Sequence, residues 1–216
     1  MTRYGTDVLL GSLALLLAVL SAVFFFSPWP ALTCAVTVLG LILAGLVLNF
    51  FRDPERTVPP EENGVISPAD GRIVVVRRTE EREFIGGEAV QISIFMSPLD
   101  VHVNRMPVDG VVRLCRHVPG RFVAAFQDKS SELNERMCIG VERPDGSRVF
   151  FVQIAGAVAR RIVAELKPGQ EVRAGERFGM IKFGSRVDVY IPGKIDVRVG
   201  LRDRVRAGES VLAHYL

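Results

Sequence analysis

The chain has 216 residues, of which 49% are hydrophobic and 24% charged, and it carries a formal net charge of +3. This length allows one ordinary domain plus an extra segment. The modest charge excludes little by itself, but a nucleic-acid-binding protein would need a basic stripe with interleaved aromatic residues, and none stands out. The three cysteines lack CxxC or Cys/His spacing, so they predict neither a metal site nor a disulfide framework and are typical of a reducing compartment.

Two long apolar runs open the chain. Val8 to Phe26 and Ala31 to Phe51 contain no charged residue, and each has about the 20 residues that a helix needs to cross a bilayer core. The intervening "SPWP" breaks the helix. We therefore predict a membrane-associated helical hairpin over residues 1–50. A cleaved signal peptide fits poorly, because no small-residue cleavage site follows the first run; a hairpin buried in a soluble core is the other alternative.

The basic residues around the hairpin predict its orientation. Arg3 precedes it, Arg52 and Arg56 follow it, and the turn between the runs has no Lys or Arg. The positive-inside rule places both ends, and with them the rest of the chain, on the cytoplasmic side of the cell membrane. A hairpin that dips into one leaflet without crossing it would have the same orientation.

Residues 51–216 show a β pattern. Short apolar runs such as "GRIVVV", "AVQISIFM" and "VDVYIP" are separated by Gly, Pro and Asp turn signals. The sequence "VRAGE" occurs twice, beginning at Val172 and Val205, and such turn–strand units are typical of barrel-sandwich, lipoyl-like domains. We predict a mainly β fold: one compact antiparallel β domain preceded by the α-helical hairpin.

Few polar residues in this domain have catalytic potential. His102, His117 and Asp70 each have, taken alone, an ordinary interpretation as surface, structural or turn residues. In "FGSRVDVYIP", however, Gly184 and Ser185 stand at the start of a segment whose alternation predicts a half-buried strand. Glycine weakens a strand and usually marks a bulge or a close backbone approach, so this pair calls for an explanation.

The quoted segments together resemble the phosphatidylserine decarboxylases in their short form. The motifs "FRDPER", "SPADGRIV", "FMSPLDVHVNRMPVDG", "VPGRF", "NERM", "QIAGAVARRIV" and "FGSRVDVYIPGK" stand in the order that this family shows. The likeness extends from about Phe51 to Val197. The hairpin resembles the family only in being a hydrophobic, membrane-binding segment before the β domain.

The resemblance implies self-cleavage of the Gly184–Ser185 bond into two chains, residues 1–184 and 185–216. The Ser185 hydroxyl would attack the Gly184 carbonyl, and the resulting ester would eliminate to leave a covalent pyruvoyl group at position 185. That group is the implied cofactor, and no metal is implied. The lipid amine would form a Schiff base with it, so the implied activity converts phosphatidylserine in the membrane to phosphatidylethanolamine.

The chain departs from the family pattern at the residue that would activate the serine. Longer members have a second histidine three residues after the one matching His102, and here that position is Arg105, which cannot act as a base near neutral pH. We expect His102 to be the base, oriented by Asp70, with His117 as its rival. Nearby candidates for holding the lipid phosphate are Arg121, Arg136 and Arg186.

Two other functions fit the sequence less well. The substrate could be a related serine phospholipid such as archaetidylserine, because nothing in these residues reports on the lipid tails. A non-catalytic, membrane-anchored lipoyl-like adaptor would explain the "VRAGE" repeats, but no lysine lies between them in a hairpin tip, and this function gives no reason for the Gly-Ser pair. The sequence leaves a homo-oligomer open.

Overall fold

The computed structural model describes residues 1–2, 5–61, 63–120, 134–156, 161–182 and 185–216. The chain divides into two units, Met1–Pro54 and Glu55–Leu216, which are treated separately below.

The first unit is a pair of apolar helices, α1 (Thr6–Phe26) and α2 (Pro30–Phe50). Pro30 is at the start of α2, where its missing N–H costs no helical hydrogen bond. The helices approach closely at Gly40, where an added Cβ would lie 2.9 Å from a Leu16 methyl carbon. Their apolar stretches of 19 and 21 residues have mean hydropathies of 2.7 and 2.5, so both are long and apolar enough to cross a membrane. The predicted helical hairpin is confirmed.

The second unit is built from strands. They are β1 (Gly64–Ile66), β2 (Gly71–Glu81), β3 (Gly87–Met96), β4 (Val103–Arg105), β5 (Gly110–Val118), β6 (Arg136–Glu142), β7 (Arg148–Ala155), β8 (Arg161–Ala164), β9 (Glu171–Val172), β10 (Arg177–Lys182), β11 (Ser185–Pro192), β12 (Ile195–Val197), β13 (Arg204–Val205) and β14 (Val211–Tyr215).

Among the described residues, all the strand pairs are antiparallel, and they form three sheets. The largest has eight strands in the order β13-β2-β3-β11-β7-β6-β5-β9, and the two others have three strands each, β1-β14-β12 and β4-β10-β8. The largest core cluster among the described residues contains side chains from all three sheets, with members such as Ile94, Phe151, Phe178 and Leu212 fully or almost fully buried. The prediction of a mainly β, antiparallel domain is confirmed.

The two "VRAGE" copies occupy equivalent places at opposite edges of the large sheet. Val172 lies in β9 and Val205 in β13, the two edge strands. The glycines that follow, Gly175 and Gly208, have φ angles of +79° and +75°, a left-handed conformation that glycine adopts without steric cost. The repeat therefore encodes a short edge strand that ends in a tight turn.

Strand β11 runs through the middle of the large sheet, between β3 and β7. On one side, Val187, Val189 and Ile191 are completely buried in the main core. On the other, Arg186 and Asp188 are 1% and 0% exposed, so both faces of this strand are covered. Alternation predicts the strand correctly, but its polar face is buried rather than exposed to solvent.

Candidate active site

Ser185 is the first residue of β11, at one end of the central strand. It lies opposite Met96 of β3 and Ala155 of β7 and is completely buried. Its hydroxyl donates to the Met96 sulfur, with 3.3 Å between Oγ and Sδ. A thioether is a weak acceptor, so this contact leaves the hydroxyl ready to exchange it for a stronger partner. The preceding residue, Gly184, lies outside the described residues.

His102 is completely buried just before β4. Its Nδ1 lies 2.9 Å from the Asp100 carbonyl oxygen. Because a carbonyl only accepts hydrogen bonds, Nδ1 carries the proton in the neutral ring, and Nε2 is then the basic nitrogen. The His102 carbonyl accepts from the Ile181 N–H at 3.3 Å, which places the histidine beside the strand that leads toward Ser185.

Two buried amides connect the His102 segment with the surroundings of Ser185. Asn104 lies two positions after His102, and its Nδ2 is 3.8 Å from the same Met96 sulfur that Ser185 contacts. Gln153 of β7 donates from Nε2 to Asn104 Oδ1 at 2.8 Å. All these side chains are buried, so the end of β11 carries a compact, neutral polar cluster within the core.

Asp70 belongs to a different, charged cluster. Its Oδ2 accepts from Arg56 Nη2 at 2.8 Å, and its Oδ1 accepts from the Ala207 N–H at 2.8 Å. Arg56 also bonds Glu209 at 3.1 Å. Burial raises the pKa of Asp70 above its ordinary value, and the bonds from Ala207 and Arg56 offset this only partly. The hydrogen bonds of Asp70 among described residues therefore go to Arg56 and Ala207, not to His102.

Arg105, at the position of the second family histidine, is a buried structural residue. Its Nη1 donates to the Gly175 carbonyl at 3.0 Å. Its stem packs against Gly208, where an added Cβ would lie 2.8 Å from Arg105 Cδ. The Arg105 side chain thus contacts both edge turns of the "VRAGE" repeat, with its guanidinium at Gly175 and its stem at Gly208.

His117, the rival base, is placed at a distance from Ser185. It lies on β5, three strands from β11 in the large sheet, and neighbouring strands are about 4.8 Å apart. Its side chain is 48% exposed, and its Nε2 is 3.1 Å from Glu135 Oε1. His117 therefore lies three strands away from the strand that carries Ser185, and the assignment of His102 as the base stays a prediction.

Comparison with known sequences decides which family these features belong to. The sequence model of the phosphatidylserine decarboxylases matches residues 43–213, which include both clusters and the whole of β11. The chain belongs to the phosphatidylserine decarboxylase family.

Individual relatives agree with the family model. The phosphatidylserine decarboxylase proenzyme of Symbiobacterium thermophilum is 49% identical over 81% of this chain and 82% of its own length. That of Chlorobium luteolum is 46% identical over the full length of both chains, and that of Desulfotalea psychrophila is 44% identical over 84% and 85%. The relatives from Symbiobacterium thermophilum and Desulfotalea psychrophila align with part of this chain, but that part is most of its length.

In this member of the family, the residue after Ser185 is the centre of a buried polar network. Arg186 donates from Nε to Asp188 Oδ1 at 2.6 Å and from Nη2 to the Ser93 hydroxyl at 2.9 Å. Gln91 donates to the other Asp188 oxygen at 3.2 Å. The network joins β11 to β3 on the sheet face opposite to the Ser185 side chain, because successive residues of a strand point to opposite faces.

The other candidate phosphate ligands have different positions. Arg136 is half-buried at the start of β6, and Arg121 lies outside the described residues. Arg186 is buried and committed to Asp188. Arg136 and Arg186 are both aligned with Ile154 of β7, so they lie two strands apart on one face of the sheet. Their role in holding phosphate stays a prediction.

Sequence reasoning did not single out Asn104, Gln153 or Arg56. Each stands within a motif that carries the family resemblance. A polar amide inside an otherwise apolar strand pattern is the signal that marks Gln153, since such a residue must find a buried partner. Its partner Asn104 is 49 positions away, so only the fold identifies the pair.

Proposed function

We propose that this chain decarboxylates phosphatidylserine to phosphatidylethanolamine, using a pyruvoyl group that it makes from Ser185. Membership of the family carries this proposal, together with the position of Ser185 at the head of a rigid central strand beside the His102 segment. The relatives are named proenzymes, which fits a chain that processes itself before it acts.

In the proposed self-cleavage, the residues of the chain perform each step. His102 Nε2 takes the Ser185 hydroxyl proton as Oγ attacks the Gly184 carbonyl carbon. The carbon–nitrogen bond then breaks, the proton passes from His102 to the departing nitrogen, and the acyl group is left on oxygen. Loss of the Ser185 Cα proton then expels residue 184 as a carboxylate. Water converts the remaining dehydroalanine to the pyruvoyl group and ammonia.

Several features of the site fit a pyruvoyl group at position 185. Residue 185 is buried beside the Met96 sulfur and near the Asn104–Gln153 amides, and burial strengthens electrostatic interactions at this site. Once formed, the pyruvoyl carbonyl supplies the electron sink for loss of carbon dioxide, which pyridoxal phosphate supplies in other decarboxylases. The Asn104–Gln153 pair would keep the surrounding segments in place after the chain is cut.

Membrane association is part of the same proposal. The two apolar helices would anchor the enzyme in the bilayer that holds its substrate, with the β unit on the cytoplasmic side. Confinement to the membrane raises the effective concentration of a lipid substrate.

The test is a Ser185→Ala variant of the full chain, with Ser147→Ala as a control because Ser147 lies in an exposed turn. We expect Ser185→Ala to stay at full length on a denaturing gel and to release no carbon dioxide from phosphatidylserine. The control should yield fragments 1–184 and 185–216 and remain active. Borohydride added during turnover should attach the lipid amine to the small fragment. Decarboxylation by Ser185→Ala, or a wild-type chain that never cleaves, would contradict the proposal.

A further inference from the structure

One edge of the large sheet presents two arginines directly opposite each other. Arg204 of β13 pairs with Arg72 of β2, and both side chains are exposed. Like charges at directly opposed positions of an antiparallel pair destabilise it. Among the described residues, neither arginine has a carboxylate within ion-pairing distance, so their repulsion is not balanced by the protein.

The turn just before β13 adds a third arginine and an exposed leucine. Leu201 is 63% exposed, and Arg202 has a φ of +74°, a left-handed conformation that is costly for a residue with a Cβ. The Arg202 side chain is also exposed and, within the part of the chain that the structure describes, forms no ion pair. The three arginines outnumber the one carboxylate of the turn, Asp203, and an apolar tip beside excess positive charge is typical of a surface that meets anionic lipid headgroups.

Hydrogen bonds hold this turn in a defined conformation. Arg202 N–H donates to the Ile73 carbonyl and Ile73 N–H donates to the Asp203 carbonyl, both at 2.9 Å. The Asp203 carboxylate accepts from the Gly200 N–H at 2.7 Å. Leu201 is thus presented outward by a tethered turn, and holding a strained, exposed conformation in this way is typical of a functional surface.

The turn and the arginine pair lie at the reactive end of the sheet. Arg72 is opposite Phe95 of β3, and Phe95 is opposite Arg186 of β11. Arg72 is therefore two strands from the residue that follows Ser185, a distance of about 10 Å at the usual strand spacing. Cross-strand partners project to one face of a sheet, so Arg72, Phe95 and Arg186 form one row at the same end of the strands as Ser185, on the face opposite to the Ser185 side chain.

We propose that Leu201, Arg72, Arg202 and Arg204 form a docking patch by which the β unit itself contacts an anionic phospholipid surface. Charge complementarity selects this partner. Under the proposed function, the substrate headgroup has a net charge of −1 and the product headgroup has none. The docking patch then holds the domain against substrate-rich membrane and loses affinity as product accumulates.

The first experiment follows the Leu201 amide by hydrogen exchange. This N–H forms no hydrogen bond with described residues, so it exchanges quickly unless something covers it. The full chain is placed in nanodiscs of phosphatidylcholine alone or with added phosphatidylglycerol, an anionic lipid that has no serine to decarboxylate. We expect exchange to slow by about tenfold in the anionic discs, and high salt or Arg72→Gln with Arg204→Gln should abolish the effect, since each basic residue near the surface contributes about a factor of five.

The second experiment measures decarboxylation of phosphatidylserine diluted in phosphatidylcholine discs. The variant with Arg72→Gln and Arg204→Gln should raise KM by about 30-fold, because two basic residues are removed, with kcat and self-cleavage unchanged. The matched control is Lys167→Gln with Arg173→Gln, which removes the same charge from exposed positions beside β9, at the opposite edge of the sheet. The control should keep the wild-type KM.

Each result decides the proposal. Equal Leu201 exchange in neutral and anionic discs, or an equal rise in KM in the control, would overturn it. If a soluble polyanion such as RNA slows the exchange of the Leu201 amide and anionic discs do not, the proposal is also overturned, and the patch is a nucleic-acid surface. If the wild type decarboxylates no phosphatidylserine, the proposed function fails, while the Leu201 exchange still decides whether the docking patch binds anionic lipid.

Discussion

The two faces of β11 bury opposite kinds of chemistry. One face carries Ser185 and Val187 into a neutral cluster and an apolar core, whereas the other buries the Arg186–Asp188 ion pair. A shift of one residue in register would move every side chain of the strand to the wrong face and put both charges into the core. We infer that the ion pair fixes the register of β11, and with it the position of Ser185, because a buried ion pair adds little net stability.

On the Ser185 face, the largest effect should come from His102. We predict that His102→Ala slows self-cleavage by about 100-fold or more, because a positioned general base contributes about that much. His117→Ala should cleave at nearly the wild-type rate, since His117 is exposed on β5. Time courses of fragment formation on denaturing gels compare the two. Normal cleavage by His102→Ala with slow cleavage by His117→Ala would reverse the assignment.

On the opposite face, the ion pair can be tested by removing one charge or both. In the uncleaved Ser185→Ala chain, Arg186→Met removes the cation that pairs with the buried Asp188 carboxylate and should lower the free energy of unfolding by about 3–5 kcal/mol. The double variant Arg186→Met with Asp188→Leu should recover most of that loss, because apolar residues can replace a buried pair. Denaturant unfolding measures both.

The same double variant, with Ser185 restored, separates register from stability. We expect it to fold but to cleave about tenfold more slowly, since its strand no longer has a charged pair to specify register. Glu81→Gln is the control: Glu81 accepts backbone bonds from Phe84 and Ile85 in a distant hairpin turn, so its loss should lower stability without changing cleavage. Wild-type cleavage by the double variant would show that the ion pair does not position Ser185.

The neutral cluster should give a smaller effect. Asn104→Ala removes the acceptor of Gln153 Nε2, and a buried donor without a partner costs about 1–3 kcal/mol. We predict a lower Tm and slower cleavage together, because the same residue contacts Met96 beside Ser185. Calorimetry and gel time courses measure the two. A lower Tm with unchanged cleavage would separate the amide pair from the site.

The smallest effect concerns the pH dependence of the Asp70 cluster. The folded pKa of Asp70 lies above its ordinary value of 3.8, mainly through burial. Such a group contributes stability below its unfolded pKa and loses that contribution as pH rises through the folded pKa. In the Ser185→Ala background, we compare the Tm of chains with Asp70 and with Asp70→Asn. The advantage in Tm of the Asp70 chain should be largest at acid pH and should become smaller toward neutral pH. A difference that grows with pH would contradict the raised pKa.

Much of the fold follows from local pattern. The alternation from Arg186 to Ile191 identified β11, and the charge-free runs before Phe51 identified both helices. The candidate site was harder, because Gly184 and Ser185 were recognisable only through a family motif. The partner of Asp70 was not predictable: Arg56 lies outside the strand pattern, and nothing in the local sequence of either residue requires the other.

The type of the helices and of the longer strands can be predicted from the sequence, since periodicity and the absence of charge act over a few neighbouring residues. Which polar residues are buried, and with which partner, depends on the tertiary fold. Alternation of polar and apolar residues shows that the two faces of a strand differ. Whether the polar face is buried depends on segments that are distant in the sequence: Arg186 bonds to Ser93, which is 93 positions away. A buried charge or amide needs a hydrogen-bond partner wherever the fold places it, and that partner is often a residue distant in the sequence.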